Sequence, residues 1–203
     1  MDYPQTPGPK ETLEELAWLH PEIYRGIDYG VFEARIHFQT TRVDYDGAAF
    51  STLVRLHAKN YYRRKGYDAV DIEEVSLTGL SLKLEGYHIK IWKAHDSSLP
   101  APGRSEPKQA YYQQTLNFDG GERPEIIRLA VIWNVNASRA LSAMWLVCPK
   151  DGDETSAAAY WTERIPDPSL EIPQFSPEPI GPDLPMGPKE SQNDKKKKGN
   201  ERQ

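Results

Sequence analysis

The sequence predicts an α+β fold: N-terminal helices packed on an antiparallel sheet built from two β-hairpins, with a disordered proline-rich tail behind them. Three observations carry this. Apolar residues recur at helical spacing through the first third of the chain. Strict alternation runs through residues 80–92 on both sides of a Glu85-Gly86 pair. Of the 17 prolines, eight fall in residues 166–203. The expected organisation is an arm over residues 1–11, one α+β domain over 12–165, and a tail over 166–203.

The arm holds Pro4, Pro7 and Pro9 and no apolar pattern. Order is expected from Thr12, because Thr12-Leu13-Glu14-Glu15 has the form of a capping box. Leu13, Leu16, Ala17 and His20 follow at helical spacing, and Pro21 breaks or restarts the helix. A second helical segment carries Ile23, Ile27 and Phe32 toward His37, although Gly26 and Gly30 weigh against it. A third helix is expected over residues 48–65, after Asp46-Gly47 and before Gly66 at the C-cap position. Its apolar stripe is Phe50, Leu53, Val54, His57 and Tyr61, and Arg55, Lys59 and Arg63 form a basic stripe.

The first hairpin pairs Leu84 with Tyr87, Leu82 with Ile89 and Leu80 with Ile91 across Glu85-Gly86. All six apolar residues then share one face, and a one-residue slip would scatter them. The opposite face carries His88, Lys90 and Trp92. A loop follows over residues 96–107, then a short helix over 107–118 with Tyr111 and Tyr112. The second hairpin joins residues 126–135 to 141–148. It is apolar on both faces and so expected at the centre of the sheet, with Pro149 ending the pairing. A last short strand with Tyr160 and Trp161 ends at Ile165. In the tail, Pro179, Pro182, Pro185 and Pro188 share one edge of a polyproline II helix, and a lysine run spans 195–198.

Composition narrows the function classes. No apolar run approaches the roughly 20 residues that span a bilayer. Cys148 is the single cysteine, which excludes a disulfide scaffold. A reduced, cytoplasmic protein without a membrane partner is expected. There is no phosphate-binding glycine loop and no close histidine pair, so neither a cofactor nor a metal site is expected. Cys148 closes an apolar strand, where a thiol stays protonated and inert. The one Glu-x-Lys, at Glu106-Pro107-Lys108, contains a proline and lies in a loop, against a metal-dependent nuclease.

Two kinds of partner remain. The basic stripe Arg55, Lys59 and Arg63, with tyrosines nearby, suits nucleic acid, but the formal net charge of −5 disfavours it. A protein partner fits Trp92 beside the loop carrying Arg104, an arrangement typical of interface anchors. The competing expectation is that the helix carrying Tyr111 covers Trp92 as a second core layer. The candidate binding residues are therefore His88, Lys90, Trp92, Arg104, Tyr111, Arg55, Lys59 and Arg63, with no catalytic residue among them. A toxin-like enzyme or binder acting on nucleic acid is the alternative, provided that His88, Lys90 and Arg104 converge.

The stretches LSLKLEGYHIKIWKA, LPAPGRSEPKQAYYQQ and RLAVIWNVNASRALSAMWLVCPK together resemble a group of small proteins from actinobacteria and their mobile elements. The group has no established activity. The resemblance implies a setting in regulation, defence or a toxin–antitoxin pair, and no functional residue is carried over from it.

Overall fold

The computed structural model describes residues 6–66, 71–72, 79–119 and 123–168. They form an α+β fold in which helices cover both faces of a mixed sheet. The expectations for residues 1–5 and for the tail from 169 onward lie outside the described residues.

The chain is ordered earlier than the capping-box pattern implied. Helix α1 is Pro9–Glu15, with Gly8 as N-cap and proline in its first turn, a position where the missing N–H costs nothing. Thr12 is therefore inside the helix, and its hydroxyl donates to the Gly8 carbonyl at 2.8 Å instead of capping. Thr6 is already buried, so the arm is shorter than residues 1–11. Glu15 also turns outward from its expected capping role. It accepts from the Tyr87 hydroxyl at 2.5 Å and from Arg123 Nη2 at 3.1 Å.

Helix α2, His20–Thr41, runs unbroken through Gly26 and Gly30. Both glycines face α3, Gly47–Lys65. A Cβ on Gly26 would stand 2.3 Å from the Tyr62 ring, and one on Gly30 would stand 2.4 Å from the Val54 carbonyl oxygen. The residues that argued against a helix are what allow the two helices to touch. Asp46 caps α3 through its carboxylate, accepting from Ala49 N–H at 2.6 Å. The buried stripe of α3 is Phe50, Val54, Ala58 and Tyr62. It is rotated from the expected one, with Leu53 and Tyr61 only partly buried, because the groove of α2 selects positions four apart.

The sheet has strand order β1-β2-β3-β4-β5-β6, with β1 Asp71–Ile72, β2 Ser81–Leu84, β3 Tyr87–Lys93, β4 Ile127–Val135, β5 Leu141–Gly152 and β6 Ala157–Ile165. The first hairpin has the expected register: Leu84 opposite Tyr87, Leu82 opposite Ile89, with Gly86 at φ 74° in the turn. The second hairpin is also present. The join between them differs from the expectation, because β3 and β4 are parallel, Ile89 lying opposite Leu129. The connection holds helix α4, Glu106–Tyr112, and a crossover of this length returns the chain to the same end of the sheet. The helix stops at Tyr112, short of the expected residue 118. Pro149 does not end β5 either. Register shifts on both sides of it take it out of the regular ladder, so its missing donor leaves no gap.

One face of the sheet packs Leu82, Ile89, Ile91, Leu129, Val131, Trp133 and Leu146 against α1, α2 and α3. The other packs Ala130, Ile132 and Val147 against Tyr111, Tyr112 and Leu99. Residues 130–133 of β4 are thus buried on both faces, as expected of a central strand. Among the described residues no helix is long and apolar enough to cross a membrane.

Candidate functional site

The polar face of the first hairpin is built around Tyr111. Its ring is buried, and its hydroxyl lies 2.5 Å from the His88 carbonyl oxygen and 2.6 Å from that of Leu129. One side chain on α4 thereby ties together the two parallel strands. His88 meets the ring edge-on at 5.1 Å, and its Nε2 lies 2.5 Å from Ser81 Oγ. The Lys90 ammonium stands 4.1 Å above the ring, a favourable cation–π arrangement. Trp92 packs edge-to-face on Tyr111 at 5.7 Å and on Tyr112 at 5.3 Å. Trp92 and Tyr111 are therefore parts of a second core layer rather than free interface anchors. The physical reason is that an apolar outer face of β4 has to be covered.

Arg104 stands apart from this cluster. It is highly exposed and pairs with Glu154 at 3.4 Å in the turn between β5 and β6. Among the described residues no hydrogen bond or ion pair joins it to His88 or Lys90, so those three do not form one site. The basic stripe of α3 is split in the same way. Arg63 is exposed in the last turn, Arg55 is half-buried, and Lys59 is buried at 6% exposure. Spacing alone placed these three on one solvated face, but the packing of α3 buries Lys59, half-buries Arg55 and leaves Arg63 in solvent. Cys148 is buried, and loss of solvent pushes its thiol up to about 12. Gln114 Nε2 approaches its sulfur at 3.6 Å.

Two residues that the sequence did not single out complete the outer layer. The Gln114 side chain behaves as a short piece of strand: its Oε1 accepts from the Arg128 N–H at 3.0 Å, and its Nε2 donates to the Arg128 and Pro149 carbonyls at 2.8 and 2.7 Å. Lys108, from the same helix as Tyr111, lies 5.2 Å above the Trp92 ring. A lysine one turn before a tyrosine pair was the available signal, but nothing in spacing says that Trp92 comes beneath it.

A second surface lies on the α2 side of the sheet, away from the Tyr111 cluster, and exposes several apolar side chains. Phe32 and Ile36, one turn apart on α2, are 55% and 37% exposed. Val43 and Tyr45, just past the end of α2, are 60% and 37% exposed. A depression of about 320 Å³, lined by Asp28, Tyr29, Phe32, Arg35 and Ala140, joins this face of α2 to the turn between β4 and β5. Arg139, in that turn at φ 60°, lies 3.9 Å above the Tyr45 ring. Tyr45 in turn rests on Phe38 and Phe50.

Arginine frames this surface. Arg42 occupies the left-handed C-cap of α2 beside Val43, at φ 54°. Arg35 has the exposed Asp28 as its electrostatic neighbour. Burial, and then the nearby Asp167, raise the Asp28 carboxyl, with Arg35 opposing them. Among the described residues none of Arg35, Arg42 and Arg139 forms an ion pair.

Among the described residues no group of three or more His, Cys, Asp or Glu side chains is placed to hold a metal ion. Comparison of the chain with family models, with curated proteins and with solved structures finds no match.

Proposed function

We propose that the protein is a non-enzymatic interaction protein with a regulatory role, and that it binds a protein segment through the α2 surface around Phe32 and Ile36. The observation that carries this reading is a combination: exposed Phe32, Ile36, Val43 and Tyr45, a shallow depression lined by Phe32, and three arginines that form no ion pair among the described residues. Contiguous exposed apolar surface is costly in water and marks interaction sites. Interfaces are also enriched in aromatic residues and arginine.

The charges specify the partner's chemistry. Arg35, Arg42 and Arg139 call for carboxylates, and Phe32 and Ile36 call for apolar side chains one turn apart. An acidic amphipathic helix meets both demands, laid with its apolar side in the depression. Carboxylates opposite the arginines would speed encounter and set orientation more than they would raise affinity. A mobile-element or defence setting, implied by the sequence resemblance, accommodates such a regulator.

The test uses random peptides displayed on phage and selected on the full chain. Selected peptides are expected to combine apolar residues at helical spacing with Asp or Glu, and to lose binding to Phe32→Ser and to Arg35→Glu. Peptides that bind Phe32→Ser as tightly as the wild type would overturn the proposal. So would a stable dimer of this chain that Phe32→Ser dissociates, since the surface would then belong to a second copy.

A further inference from the structure

The last strand of the sheet, β6, has β5 on one side and no strand on the other among the described residues. Its nine residues, Ala157–Ile165, exceed the roughly five or six of an ordinary strand. Among the described residues none of its backbone groups hydrogen-bonds to backbone outside β5. A row of N–H and C=O groups along its outer side is therefore without a partner among the described residues. The chain leaves this edge at its end: Asp167 accepts from the Tyr24 hydroxyl of α2 at 2.9 Å. The side chains along it are open as well, with Ala158, Ala159, Thr162 and Arg164 exposed.

Open edges pair readily with other strands, and folded proteins blunt them by keeping them short, by placing lysine or proline in them, or by covering them. β6 is long and contains neither residue. Its two ends differ in a way that selects a partner. It begins with Ala157, Ala158 and Ala159 and finishes with Glu163, Arg164 and Ile165. Directly opposite side chains of paired strands share a face about 4.5–5.5 Å apart. A parallel copy of the strand would set Glu163 beside Glu163 and Arg164 beside Arg164. An antiparallel copy sets the bulky end of one strand against the alanines of the other.

We propose that β6 is a dimer interface, pairing antiparallel with β6 of a second copy about a two-fold axis at Trp161. Ala157 then lies opposite Ile165 of the second copy, Ala158 opposite Arg164, Ala159 opposite Glu163, and Tyr160 opposite Thr162. Trp161 meets its counterpart at the axis, and aromatic pairs of this kind stabilise neighbouring strands. Glu163, which shares the helix-facing side with Leu146, meets only a methyl group there. The two six-stranded sheets become one, with corresponding faces continuous. The contact is isologous, so each β6 edge is used once and assembly stops at two copies. It uses none of the residues of the α2 surface around Phe32.

Sedimentation velocity of the full chain over a range of concentrations reads the assembly, and a monomer–dimer equilibrium is expected. Ala159→Glu sets like charges opposite each other at Glu163, twice by symmetry. It should weaken the dimer about tenfold relative to Ala159→Lys, which sets opposite charges there. Ala159 is exposed, so both variants should fold, and circular dichroism establishes it. Should Ala159→Glu not fold, Ala158→Arg against Ala158→Glu poses the same question opposite Arg164. Phe32→Ser should leave the dimer intact, which separates this interface from the α2 surface. Hydrogen exchange at the amides of residues 157–165 should slow as the dimer forms. A chain that stays monomeric up to about 0.1 mM overturns the proposal. So does a dimer that Ala159→Glu and Ala159→Lys affect equally. Protection of residues 157–165 that appears only when a foreign peptide is added would assign the edge to another protein's strand and overturn it likewise.

Discussion

Gly26 of α2 lies against the Tyr62 ring of α3, so close that a Cβ would stand 2.3 Å from the ring carbons. The Tyr62 hydroxyl completes the contact by donating to the Ile23 carbonyl at 2.8 Å, in the turn of α2 just before the glycine. The two helices are held at a separation that only a residue without a side chain permits.

Gly26→Ala is therefore expected to destabilise the protein by about 1–3 kcal/mol through overpacking. This exceeds the roughly 1 kcal/mol that alanine would bring to an open helical position. Urea denaturation measures the balance. A variant more stable than the wild type would show that the helices can separate without cost.

Tyr111→Phe removes the hydroxyl between the His88 and Leu129 carbonyls and leaves the ring in place. A loss of about 1–2 kcal/mol is expected, because buried carbonyls lose a donor. The hydrogen-exchange signature should be local, with faster exchange at the β3–β4 junction than at the β5–β6 pair. Uniform change across the sheet would contradict this role.

His20 begins α2 in a buried position, with Nε2 unpartnered among the described residues, and burial lowers its pKa from 6.5 to about 4. The folded protein thus favours the neutral ring, and the unfolded chain binds the proton first. The stability tied to this group is fully present above about pH 6.5 and is lost as the pH falls toward 4, on the order of 3 kcal/mol. His20→Leu should flatten that limb of the stability–pH curve while leaving the limb above neutrality unchanged. An identical acid limb in both proteins would remove His20 from the account.

Cys148 is buried with its thiol at about 12, so a thiol reagent at pH 8 should label it only at the rate of unfolding. Labelling of the native protein within seconds would contradict this protonated, enclosed state.

Phe32→Ala is expected to change stability by no more than about 0.5 kcal/mol, since its side chain is mostly in water. Thermal denaturation checks this. A large loss would mean that Phe32 is part of the core and not of a docking surface.

The amino-acid pattern alone determined a large part of this protein. Alternation on either side of Glu85-Gly86 set the register of the first hairpin, since any slip exposes Leu82 and Ile89 together. The double-sided apolar run at 129–133 put β4 in the middle of the sheet, and Asp46 and Gly66 bounded α3. These are local signals, decided by residues within a few positions of one another. What depends on distant partners was out of reach. Gly26 and Gly30 read as helix-weakening until α3 lies against them. The rotation of the α3 stripe, which takes Lys59 inside, is set by the groove it packs into. The parallel pairing of β3 and β4 follows from where α4 carries the chain; the cover of Tyr111 over Trp92 was one of two expectations for that ring, and the packing decides between them. Periodicity records which face of an element is apolar; only the packed structure decides what that face meets.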